Sequence, residues 1–207
     1  DGARPLLVLE DLSVAFWPPP WSRERINLVS GMLQEIAHTR PPPGLPSVET
    51  FFREPFGWEQ IAKDPTGFLG LGLVSPAWLR GALPVLMTAE RGADLNGDAL
   101  VHMDVRSDNI CFAGERTLLV DWNWASVGTP KIDLISWLPS LHTEGGPAPW
   151  DMTLDEPELI AEVAGYFASN AYLQPPKAGS TLRHLQLAQL KSALPWAVRA
   201  LKLPASA

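Results

Sequence analysis

"LVHMDVRSDNICFAGERTLLVDWNWA", residues 100–125, crowds His102, Asp104, Arg106, Asp108, Asn109 and Asp121 between short apolar runs. Only 19% of the chain is charged, so this concentration calls for a chemical reason. Two apolar triplets, Ile110-Cys111-Phe112 and Leu118-Leu119-Val120, flank "AGERT", whose Gly114 suits a hairpin turn. Antiparallel pairing of 110 with 120 sets Asn109 opposite Asp121, and directly opposed residues lie roughly 4.5–5.5 Å apart at the backbone. An amide oxygen and a carboxylate then share the open end of the hairpin. That donor pair suits Mg²⁺, which takes few protein oxygens and completes its shell with water and phosphate. Asp104 sits on the loop entering the hairpin, within reach of the same mouth without being a ligand.

Polar residues at a strand mouth are usually turn formers, and Asp108-Asn109 suits a turn. Yet the chain has 4 His, 11 Asp and 5 Asn, and the pattern H-x-D-x-x-x-x-N is expected by chance only about 0.005 times. Chance is a poor account.

The whole chain narrows the field. At 207 residues and 46% hydrophobic, it is long enough for one substantial core and too apolar to be disordered. A formal net charge of -7 with no basic tract disfavours nucleic acid as a partner. The single cysteine, Cys111, excludes an intrachain disulfide and fits a reducing, cytoplasmic compartment. The longest uncharged apolar run, "PTGFLGLGLVSPAWL", is broken by proline and glycine and too short to cross a membrane as a helix.

Along the chain, "PLLVLED" (5–11) reads as a short buried strand. Residues 24–39 read as a helix with Ile26, Val29, Met32, Leu33 and Ile36 on one face, ended by "RPPPGLP". Residues 44–75 read as loop with a short helix around "WEQIAK"; within them "GFLGLG" (67–72) reads as a flexible loop. Further helices are expected from Pro76, after a Ser75 cap, to about 90, and over about 131–141, 156–172 and 180–203. Leu187, Leu190, Leu194, Val198 and Leu201 align on the last of these, with a bend expected at Pro195.

"HMDVRSDN" followed by a strand ending in "VDW" resembles the catalytic loop and metal-binding segment of the aminoglycoside phosphotransferase and choline kinase-like branch of the protein-kinase fold. "GTPKIDLISWL" is similar to the segment that follows in that family, and "LLVLEDL" resembles the hinge between the two kinase lobes. The fold the resemblance implies is α+β, a protein kinase-like fold: a mostly helical C-terminal lobe with short β-hairpins, its N-terminal lobe absent from this chain. Residues 1–12 would be the hinge strand. Residues 13–207 would be the helical lobe, carrying the catalytic loop (100–112) and metal segment (118–125). The implied activity is transfer of the γ-phosphoryl of ATP to a hydroxyl of a small molecule.

On that resemblance Asp104 faces the acceptor hydroxyl, and Asn109 and Asp121 hold Mg²⁺. His102 shapes the loop. Asp133 braces it, although a helix N-cap alone would explain that residue. Leu9, Glu10, Asp11 and Leu12 hold adenine, through backbone rather than side chains. Asn123 stands where relatives often carry an acid. The acceptor pocket is expected beside the loop, where Glu144, Asp151, Asp155, Glu156 and Glu158 of "HTEGGPAPWDMTLDEPE" favour a cationic acceptor slightly over a neutral one. A metabolite kinase acting on an amino alcohol or sugar, and a non-catalytic nucleotide-binding or scaffold protein of the same fold, are the alternatives. Retention of Asp104, Asn109 and Asp121 together disfavours the scaffold.

Overall fold

The computed structural model describes residues 8–52, 57–152, 155–177 and 179–205. Its architecture is mixed α and β: a helical body carrying two small antiparallel sheets. The stretch 100–125 folds as one unit because both its ends are tied. β1 (Ala99–Val101) leads in, β2 (Ile110–Ala113) and β3 (Arg116–Leu119) form a hairpin, and β4 (Ser126–Gly128) leaves antiparallel to β1 with Val101 opposite Ser126.

The hairpin register differs by one residue from the sequence expectation: Ile110 pairs with Leu119, not with Val120. The turn is the reason. Ala113 pairs with Arg116, leaving the two-residue loop Gly114-Glu115, and Gly114 takes φ +62°, a conformation open to glycine at the first loop position. An even loop shifts the partners by one. Val120 N–H therefore donates to Asn109 O at 2.9 Å, and Asp121 lies one residue beyond that pair.

The segment expected as a buried hinge strand is corrected where it is described. Residues 1–7 lie outside the described residues, and 8–12 form no strand; Val8 and Leu9 are 80% and 75% exposed. A strand needs a hydrogen-bonding neighbour and a covering layer, and among the described residues the first backbone pairing with the hairpin comes at Phe16, which exchanges two backbone hydrogen bonds with Phe112.

Helices account for most of the core. α1 (Arg23–His38) starts where the Ser22 side chain accepts from Arg25 N, and buries Ile26, Val29 and Leu33. α2 (Val48–Phe52) and α3 (Trp58–Lys63) follow, then α4 (Thr66–Gly70). α4 overturns the reading of 67–72 as a flexible loop. Asp64 Oδ1 accepts from Thr66 N at 3.0 Å, and Phe68 is fully buried edge-on to Trp58. Gly67 lies so close to the Tyr172 ring that a Cβ would collide with it. α5 (Pro76–Gly92) begins at Ser75 as the sequence implies, its hydroxyl oxygen accepting from Trp78 N. α6 (Lys131–Thr143), α7 (Pro157–Asn170) and α8 (Leu182–Ala200) complete the body. α8 is buried on more than the expected stripe. It packs on both α6 and α7, covering Gln186, Gln189, Ser192 and Trp196, and Gln189 Nε2 donates to Ser140 Oγ at 2.7 Å. No helix of the described residues is long and apolar enough to cross a membrane.

α3 lacks a capping side chain of its own, because Gly57 precedes it at φ +84°. Glu90 of α5 supplies the cap from outside: its Oε1 accepts from Trp58 N at 2.7 Å and its Oε2 from Glu59 N at 3.2 Å. Burial pushes Glu90 up to about 7. On α7, burial and the neighbouring Glu90 push Glu162 up to about 8. Both carboxyls take up protons on folding, so the stability they allow is full below the ordinary carboxylate range. It is lost as pH rises toward about 8. Glu162→Gln removes the larger share. The variant should melt roughly 5 °C or more above wild type near pH ~8.5 and match it near pH ~5. Thermal melts across that range by circular dichroism measure it; parallel pH profiles for the two proteins would contradict the pairing.

Candidate active site

The loop before the hairpin holds its shape through α6. Met103 adopts φ +67°, left-handed backbone that a side chain disfavours. Asp133 offsets this: its Oδ2 accepts from His102 N at 2.7 Å and its Oδ1 from Met103 N at 2.8 Å. An N-cap does not account for Asp133, because the cap position is Pro130 and the carboxylate goes to the loop instead. Burial pushes the Asp133 carboxyl up, and the two backbone N–H bonds pull the other way.

His102 is fully buried. Its Nδ1 accepts from Asp104 N at 3.2 Å and its Nε2 meets Val120 O at 2.9 Å, partners that assign the proton to Nε2. The ring stands edge-on to Trp122, 4.7 Å between centroids. One imidazole thus ties the loop to the chain leaving β3.

Asp104 is held from two sides. Asn109 Nδ2 donates to its backbone oxygen at 2.8 Å and to its Oδ2 at 3.1 Å. Arg106 Nε lies 3.1 Å from Oδ1, an ion pair rather than an aligned hydrogen bond. Burial pushes the Asp104 carboxyl up, and Arg106 is the main opposing influence. Both Asn109 bonds use the amide nitrogen, which leaves its Oδ1 as the atom available to a cation. Asp121 is exposed, in left-handed backbone at φ 61°, and accepts from Asn123 Nδ2.

Among the described residues no group of three His, Cys, Asp or Glu side chains gathers to hold a metal. A cation at the hairpin mouth would rest on the Asn109 amide oxygen and the Asp121 carboxylate, a sparse oxygen set that fits Mg²⁺ completed by phosphate and water. Direct opposition of the two residues does not hold, since Asp121 stands one step past the pair.

Asp104 and Arg106 open onto a cleft of about 800 Å³. Phe51 of α2, Trp122 and Trp124 of the turn after β3, Tyr166 of α7 and Gln186 of α8 line it. Leu9, Glu10, Asp11 and Leu12 do not. Glu10 pairs with Arg116 at the hairpin turn, Asp11 accepts from Ser13 N, and the Leu12 carbonyl accepts from Ala15 N.

The acidic residues of 144–158 do not line the cleft either, which corrects the expectation of an acidic acceptor pocket. Glu144 accepts from Trp21 Nε1 at 2.8 Å and from Ser107 Oγ at 2.6 Å, and so braces the loop from behind. Glu156 pairs with Lys131. Those carboxylates serve the scaffold.

Sequence reasoning gave Arg106 no role and did not reach Phe51, Trp124, Tyr166 or Gln186. For Arg106 a signal existed, a cation two residues from Asp104. For the aromatics none did, since they come from three separate elements. A scan against protein-family models finds no match to this chain, and neither does a search of curated proteins.

Proposed function

We propose that this protein takes part in Mg²⁺-dependent transfer of the γ-phosphoryl of ATP to a hydroxyl of a small molecule. The observation that carries the reading is the clamp of Asn109 on Asp104: one amide nitrogen bonds both the backbone oxygen and the carboxylate of Asp104, which leaves the amide oxygen uncommitted to that residue. A turn-forming asparagine has no need of that geometry. The resemblance of "HMDVRSDN" and "VDW" to the phosphotransferase segments supports the same assignment.

The work asked of Asp104 is alignment. An ordinary aspartate near pKa ~3.9 faces a hydroxyl comparable to water at ~15.7, so deprotonation in advance would cost roughly 16 kcal/mol. Burial narrows the gap by raising Asp104 without closing it. The carboxylate therefore accepts the hydroxyl's hydrogen bond, points its oxygen at phosphorus, and takes the proton as the new P–O bond forms. Arg106 and Asn109 keep the carboxylate from rotating. Mg²⁺, when bound, supplies charge neutralisation to the phosphates. No lysine lines the cleft among the described residues, and the reading assigns the contacts covering the phosphates to a further lobe.

Calorimetric titration of the gene-length protein with ATP, with and without Mg²⁺, tests the reading. Binding that depends on Mg²⁺ is expected, with ADP formed when an acceptor is added. Failure to bind ATP in millimolar Mg²⁺ would remove the kinase assignment.

A further inference from the structure

We propose that the ligand held beside Asp104 is an uncharged hydroxyl compound with a flat, largely apolar body, seated on the wall Trp124–Phe51–Tyr166. As a statement about the acceptor, this rests on the phosphotransferase reading. As a statement about what the cleft binds, it stands on the cleft alone.

Three observations converge. The wall is continuous: the Phe51 ring lies 5.7 Å from Trp124 and 5.6 Å from Tyr166, centroid to centroid. It is also open to a ligand, since Trp124 is 55% and Trp122 38% exposed. Isolated exposed apolar residues are ordinary, but two indoles flanking one concave, aromatic-walled cleft are not scattered surface residues. Water against that surface is displaced favourably by an apolar face, and ring stacking adds to the gain.

The second observation is charge. The charged side chains lining the cleft, among the described residues, are Asp104 and Arg106, which lie 3.1 Å apart, and Arg106 is shared with Asp108 at 2.9 Å outside the lining. An ammonium group would have to compete with Arg106 for the single carboxylate. The five acids expected to draw a cation lie outside the cleft lining. The third is size. At about 800 Å³ the cleft lies within the ~300–1,000 Å³ range of sites for drug-sized ligands, well above what one small amino alcohol fills. The uncharged polar groups of the lining, Ser47, Thr50, Asn123, Ser126 and Gln186, suit hydroxyls and carbonyls rather than multiple charges.

Calorimetry with three probes tests this: estradiol (flat, uncharged, two hydroxyls), neamine (polycationic) and methyl glucoside (uncharged, polar). Estradiol is expected to bind at least about tenfold tighter than either other probe. Its affinity should hold steady between about 50 and about 500 mM NaCl, as screening does not touch an uncharged ligand. Trp124→Ala is expected to weaken estradiol about tenfold or more. Because Trp124 is half exposed, the variant should remain folded, and circular dichroism verifies this. Tighter, salt-sensitive binding of neamine, or equal estradiol affinity in wild type and Trp124→Ala, would overturn the proposal. The two readings fail separately. Estradiol bound on Trp124 without any phosphorylated product in Mg²⁺ and ATP would refute the kinase and leave the cleft assignment standing. Efficient phosphorylation confined to amino sugars would do the reverse.

Discussion

If the protein transfers phosphoryl as proposed, Asp104→Asn should lower that turnover by roughly 10²–10⁴-fold while changing nucleotide affinity no more than a few fold. The asymmetry follows from position. The carboxylate faces the cleft and is oriented by Asn109 and Arg106, whereas the atoms proposed to meet the nucleotide's cation belong to Asn109 and Asp121. An asparagine of the same shape fills the space but cannot accept the proton as the ester forms. It also removes one of the two carboxylates paired with Arg106 and leaves Asp108 as the other, so at most a modest loss of stability should accompany the kinetic defect. Steady-state kinetics and nucleotide titration on one preparation separate the two effects. Turnover equal to wild type would exclude Asp104 from the chemistry.

Asp121→Ala should remove most of the Mg²⁺ enhancement of nucleotide binding, with little change in thermal stability because the side chain is exposed. Asn109→Ala behaves differently. It takes away one cation-binding oxygen and also the two hydrogen bonds that hold Asp104, so it should weaken Mg²⁺ dependence and impair turnover together. Titrating Mg²⁺ against bound nucleotide in both variants distinguishes a shared cation site from two unrelated polar residues. Wild-type Mg²⁺ dependence in both would show that the hairpin mouth holds no cation.

Much of the framework is readable from residue order. Ser75-Pro76 announces the start of α5, and the apolar spacing of Ile26, Val29 and Leu33 announces α1, because caps and 3.6-residue periodicity are local properties. Gly114 marks the hairpin for the same reason. Register was misjudged by one residue because it depends on loop length, and "AGERT" permits both a two- and a three-residue loop. Helix α4 was missed because two glycines in five residues argue for flexibility. What holds them in a helix is the Trp58 and Tyr172 rings, which lie in other elements.

The sequence by itself determined which chemical groups the loop carries: an aspartate, an asparagine five residues later and a second aspartate after a short hairpin, at spacings short enough for local backbone to keep them near one another. Only the tertiary structure decided what surrounds that chemistry. Glu144 sits 37 residues from Ser107 and 123 from Trp21, yet bonds to both. Glu90 caps a helix 32 residues earlier in the chain, and Trp124, Phe51 and Tyr166 meet from three elements. The physical reason is range. Turns, caps and motif spacings depend on a few neighbouring dihedrals, whereas the walls of a cleft depend on which buried faces pack against one another. The acidic run 144–158 looked like a pocket in one dimension, but none of its five acids lines the cleft, and Glu144 and Glu156 bond to the scaffold instead.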